Sequence, residues 1–294
     1  MSQRGPAALF GVAPDTVLHV SDDEWRSQLT AALESTLQFE QRQRERAAAG
    51  STGGDVAIAS DGHVGREWIG VDANVALRIQ SGPSCGLVAL QMCVEHLLGV
   101  RCHDDTQALL RTAVARQVSK LGEMFSAYHL AELAAAVYGE RLGARTASVH
   151  ALDAMSSNDE RAAFLAQCLQ RGALVLLAYD ADKDNTPSAT LGGTRAHWAV
   201  VKGFLTPGAA AADAPSVRVR LDADAALAGS VRASECFFVC VHSKSKRPAL
   251  WRAESLLRSS AQLLKPDHAR NTDNQYVMPE TISETLALKA IVIE

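Results

Sequence analysis

Two residues in this chain have the chemistry of a nucleophile and its base, and they lie far apart in sequence. The first is in Gln80-Ser-Gly-Pro-Ser-Cys-Gly-Leu-Val-Ala-Leu90. Gly82 and Pro83 make a tight approach, Cys85 follows, and then a long apolar run begins. That order predicts a loop that delivers a cysteine onto the first turn of a buried helix. A helix N-terminus favours negative charge, so a thiol there is expected to be pushed toward thiolate, its nucleophilic form. Gln80 can offer its side-chain amide to an oxyanion beside the Cys85 backbone N–H. The second is His197, which opens the apolar run His197-Trp-Ala-Val-Val-Lys-Gly-Phe204 after a polar loop.

Each residue has a plain alternative. A lone Cys at a helix start is commonly a small core residue, and a lone His is commonly a satisfied core histidine. Neither alternative accounts for Gln80, the constrained Gly-Pro turn and His197 together. The chemistry they predict is acyl transfer. Cys85 attacks a carbonyl, Gln80 and the Cys85 N–H hold the oxyanion, and His197 moves the protons. A third residue should orient the imidazole, and here the sequence leaves Asp222, His242 and Ser243 open.

The elements that must position these residues follow from periodicity. Ser21-Asp-Asp-Glu24 is a capping box before Trp25, Leu29, Leu33 and Leu37, a helical spacing. Residues 50 to 66 are rich in Gly, Ser and Ala and read as a flexible linker. The expected division is therefore 1–66, an N-terminal helix and linker, and 67–294, the catalytic domain. Cys85 to Leu98 is apolar nearly all round, hence a buried helix ending at Gly99. Further helices are expected from Asp105 to about Val118, with Leu109, Leu110 and Val114 inward; from a Ser126 cap to Gly139; from an Asn158 cap to Gly172; and from Glu254 to Leu264. Strands are expected at 173–179, 197–205, 216–221 and 236–241, and Thr285 to Ile293 is ambiguous. Helices first and strands second predict an α+β fold, with Cys on the helical half and His on an antiparallel sheet half.

Composition narrows the rest. The chain has 294 residues, 47% hydrophobic and 21% charged, with a net charge of −4, so a large core is expected and nucleic-acid binding is not. No apolar run approaches the ~20 residues that span a bilayer. The N-terminus is a poor signal peptide, so a cytoplasmic location with reduced cysteines is expected. Cys93, His96, Cys102 and His103 cluster in sequence, but on a buried helix and after a turn, and no metal is expected. Cys236 and Cys240 point to one face of a strand and read as core.

The stretch 80–90 with His197-Trp-Ala-Val200 closely resembles the actin maturation protease family, cysteine aminopeptidases with a papain-like fold related to bacterial C39-like peptidases. Gly122-Glu-Met-Phe-Ser126, the segment from Tyr179-Asp-Ala-Asp182 to His197, Ser243-Lys-Ser-Lys246 and Leu250-Trp251 add to it, so the resemblance spans roughly residues 68 to 264. It implies removal of an N-terminal, usually acetylated, Met or Cys from immature actin, exposing an acidic residue. The roles implied are nucleophile for Cys85, base for His197 and oxyanion donor for Gln80, with no cofactor. It places the third residue in the His242–Ser243 region rather than at Asp222. A basic group should meet the acidic residues, and Arg195 and Lys202 are the candidates. Two other functions fit the same residues: a cysteine peptidase or isopeptidase of another substrate, and an inactive papain-like binding module.

Overall fold

The computed structural model describes residues 22–49, 66–101, 105–210, 218–222, 227, 231–265 and 274–294. The elements are α1 (Asp22–Ala49), β1 (Arg66–Asp72), α2 (Cys85–Leu98), α3 (Asp105–Ala115), α4 (Ala127–Leu142), β2 (Ala147–Ala151), α5 (Asn158–Gln170), β3 (Leu174–Asp180), β4 (Ala196–Ala210), β5 (Arg218–Leu221), β6 (Phe237–His242), β7 (Ala249–Arg252), α6 (Ala253–Ala261), α7 (Ile282–Thr285) and β8 (Lys289–Ile293). The chain is α+β.

The sheet is organised on β4. Its first half pairs with β3, its second half with β1, and β6 runs along its other edge. β8 extends the sheet beyond β3 and β2 closes that edge, while β7 closes the β6 edge. Most pairs are antiparallel, as expected, but β1 and β5 run parallel, so the sheet is mixed.

Alternation along β4 divides the core. Trp198 and Val200 face the cluster built on α2, α3 and α4. Ala199 and Val201 face the cluster built on α5 and α6. Farther along, Leu205 joins Trp68, Phe237 and Val239 beneath α1, whose Trp25, Leu29, Leu33 and Leu37 are all buried as their spacing predicted.

Several boundaries moved. The strand ambiguity at the C-terminus resolves to β8, every residue of which is buried between β2 and β3. α3 buries Leu109 and Ala113, whereas Val114 is 46% exposed rather than inward. α4 continues past Gly139 to Leu142, and the cap of α5 is Ser157, whose hydroxyl accepts from Glu160 N–H at 3.1 Å. Ser21 of the expected capping box, and Cys102 and His103, lie outside the described residues. Cys93 is buried on α2, Cys240 is buried in β6 and Cys236 is buried just before it.

Candidate active site

Cys85 is the first residue of α2. Gly86 next to it explains how the helix reaches the sheet. A Cβ at that position would lie 3.0 Å from the Trp198 indole and 3.0 Å from Met124 Cβ, so a larger residue would push α2 off β4. Trp198 is locked in turn, its indole N–H donating to Met124 O at 2.9 Å. The Cys85 sulfur accepts from the Trp198 backbone N–H, in the residue adjoining His197.

Gln80 reaches the same place from the loop before α2. Gly82 supplies the turn, with φ at +64°, where side-chain-bearing residues are strained. Ser243, just after β6, grips Gln80 twice. Its carbonyl accepts from Gln80 N–H at 2.8 Å, and its hydroxyl donates to Gln80 Oε1 at 2.5 Å. The amide nitrogen donates to Gly82 O at 2.6 Å, and its second hydrogen remains for a ligand. Behind the loop, Arg78 makes a bidentate buried ion pair with Glu95 of α2, at 2.7 and 2.5 Å. That pair ties the Gln80 segment to the Cys85 helix.

Gln80, Cys85 and His197 line one cavity of about 80 Å³, with Met124, Phe125 and Tyr276 as its apolar wall and Lys244 at its rim. Glu123 also borders it, but its oxygens accept from Ser119, Lys120, Leu121 and Val277, which consumes the carboxylate in holding the wall together. A larger groove of about 700 Å³, near Tyr128, Leu264 and Leu288, contains no Cys or His. The small cavity is where Cys85, His197 and Gln80 meet.

His197 is 2% exposed and lies directly across from Tyr179 of β3. His242, 5% exposed, ends β6 opposite Ala199, which makes it the diagonal neighbour of His197 on one face of the sheet. Their ring centroids are 5.7 Å apart at 80°. Asp222 is elsewhere. It follows β5, which β1 separates from β4, and it pairs with Arg220 at 2.7 Å.

The electrostatics depart from the sequence expectation. Burial pushes the Cys85 thiol up, against the lowering effects of the Trp198, Gly86 and Cys85 N–H groups and the Lys244 charge. A helix N-terminus contributes ~0.3–1 kcal/mol in exposed settings, whereas Cys85 is half-buried and its sulfur is largely desolvated, which disfavours the thiolate. Desolvation therefore wins. Burial, with Lys244 and His242 adding to it, pushes His197 down to about 2. Both shifts favour a neutral thiol and a neutral imidazole over the expected thiolate.

Neither basic candidate lines the cavity. Lys202 is buried on β4, donating to Asp72 and, at 2.6 Å, to Ala73 O. Arg195 is half-buried in the loop before β4. Lys244 was missed as a charge carrier, although its strand-end position beside Ser243 was visible.

A family model described as "Actin maturation protease-like, C-terminal domain" matches residues 75–205, a span that includes Gln80, Cys85 and His197. An actin maturation protease of Xenopus tropicalis is 32% identical over 218 residues, covering 72% of this chain and 69% of its own length. Its counterpart in Danio rerio is 32% identical over 224 residues, covering 72% and 70%. The chain belongs to the actin maturation protease family. A further member, from Drosophila melanogaster, is 28% identical over 205 residues, covering 68% of this chain and 61% of its own length. No solved structure matches. Gln80, Cys85 and His197 all lie within the family match, while His242, Ser243 and Lys244 lie beyond its end.

Proposed function

We propose that the chain is a papain-like cysteine aminopeptidase that removes the N-terminal, usually acetylated, Met or Cys of immature actin. The observation that carries this is the single cavity lined by Cys85, His197 and Gln80 in a chain of this family. Cys85 is the nucleophile. Its proton passes to His197 as the sulfur bonds to the scissile carbonyl carbon. The oxyanion is held by the Cys85 N–H and the Gln80 amide. His197 then gives the proton to the leaving amine as the C–N bond breaks. Water attacks the thioester, His197 takes its proton, and the acid leaves with the thiol restored.

The neutral resting pair is compatible with this sequence, because proton transfer is internal to the site and needs no outside acid or base. The wall of Met124, Phe125 and Tyr276 suits an unbranched apolar side chain, the feature of Met that the enzyme must recognise. Lys244 at the rim is placed to meet the acidic residues beyond the cut, the role first considered for Arg195 and Lys202.

Incubation with unprocessed actin, followed by mass measurement of its N-terminal peptide, tests the reading. Loss of one N-terminal residue is expected. An unchanged actin N-terminus, with a different peptide cleaved efficiently, would assign the site to another substrate.

A further inference from the structure

His197 Nε2 and His242 Nδ1 are both buried, and neither has a hydrogen-bond partner. A buried imidazole nitrogen ordinarily finds one. The two rings are diagonal neighbours on one sheet face, 5.7 Å apart between centroids. Two aromatic rings shield them. Trp251 stacks on His242 at 5.6 Å and 22°, and Tyr179 meets His197 edge-on at 5.7 Å.

We propose that His242 is the positioning residue for His197, accepting on its Nδ1 a hydrogen bond from His197 Nε2–H when the site is engaged. This rests on the cysteine-peptidase reading and goes beyond it by naming the orienting group. The competitors are already committed: the Ser243 hydroxyl to Gln80, and Asp222 to Arg220 on the far side of β1. Catalytic hydrogen bonds tighten around substrate, so this bond is expected in the engaged site.

The pairing fixes a tautomer. With its hydrogen on Nε2, His197 keeps the Nδ1 lone pair for the Cys85 proton. As that proton arrives, His197 becomes imidazolium and its Nε2–H becomes a charge-assisted donor, so the bond to His242 strengthens as charge develops. His242 keeps one hydrogen throughout, on Nε2, and the step moves a single proton from sulfur to Nδ1. His242 must stay neutral to accept. The ionisable groups around the pair are Cys85, Tyr179, Glu123 and Lys244, and burial, with Lys244 adding to it, holds His242 down to about 4. It is therefore an acceptor throughout the neutral range.

Steady-state kinetics on an actin N-terminal peptide tests the assignment. His242→Leu should lower kcat about 10²-fold with KM within about twofold, since orientation rather than binding is lost. His242→Asn and His242→Gln offer a neutral oxygen acceptor and should recover kcat to within about tenfold of wild type. A leucine variant with kcat within about threefold of wild type, or an asparagine variant as slow as leucine, overturns the role. In the wild-type protein, ¹⁵N-histidine NMR at pH 7 should find the His197 hydrogen on Nε2. A hydrogen on Nδ1 with a bare Nε2 overturns it, whether or not the leucine variant folds. Turnover lost in Cys85→Ala but kept in His242→Leu removes His242 alone. Turnover kept in Cys85→Ala removes the peptidase reading beneath it.

Discussion

Two of the buried polar residues on strand β4 illustrate opposite uses of burial. Lys202 is saturated. Its ammonium donates to Asp72 and to Ala73 O, lies 3.9 Å from the Trp25 ring centroid, and shares Asp72 with the Trp25 indole N–H. Burial still pulls Lys202 down to about 8, but it has partners on every side, and they join α1 to the sheet. His197, at the start of the same strand, keeps Nε2 without a partner and faces a cavity. The saturated cluster holds elements together. The under-bonded one has hydrogen-bonding capacity left for a reaction. Burial alone does not separate structure from function; unused capacity beside an opening does.

The sharpest break of this contrast is at Cys85. Cys85→Ala should abolish turnover, at least ~10⁴-fold, while the melting temperature stays near wild type. Equal losses of both would make the site structural. The converse is expected at Asp72. Removing one partner of a buried pair costs ~3–5 kcal/mol, so Asp72→Ala should lower the urea midpoint sharply while kcat per folded molecule is unchanged. A fall in kcat of more than a few fold would show that the two regions are not separate. Gln80→Ala is next, with turnover down ~10²–10³-fold. A wild-type rate there would leave the oxyanion without its side-chain donor and the mechanism incomplete.

Acid should expose the under-bonded site as a stability cost. His197 and His242 fall from 6.5 to about 2 and about 4 in the folded state, so the unfolded chain takes up more protons below pH 6.5. Stability contributed by keeping them neutral is therefore present above that pH and lost as it falls, at ~1.4 kcal/mol per pH unit for each histidine. Urea titrations between pH 7.5 and 5 measure this slope, and a flat profile would mean that the rings are more hydrated than described. The smallest effect belongs to Lys244. Lys244→Ala should reduce the preference for Asp over Asn after the cut by about fivefold at low salt, less as salt rises. An unchanged preference would move acidic recognition away from this rim.

Gln80, Cys85 and His197 could be singled out in sequence because their types and local turn chemistry are written in short stretches, and the structure brings them to one cavity. The choice among Asp222, His242 and Ser243 could not be made there, because it depends on strand register and sheet order. Only the pairing of Ala199 with His242 puts that ring beside His197. Lys202 looked like a surface charge because its partner, Asp72, comes from a strand distant in sequence. The thiolate expectation meets an opposing shift for a related reason: the helix start was visible in sequence, but the desolvation that the sheet and loop impose on the Cys85 sulfur was not. β2 and β7 escaped because they are short, β1 was read only as the start of the compact domain, and β8 stayed ambiguous because it is buried on both faces and shows no alternation.

The central claim is a covalent one, and mass spectrometry of an acid-quenched reaction tests it most directly. With an actin N-terminal peptide in excess, the acyl group should be found as a thioester on the peptide containing Cys85, and nowhere on the other cysteines. Product formation with no adduct on Cys85, or with the adduct on another residue, would contradict the account.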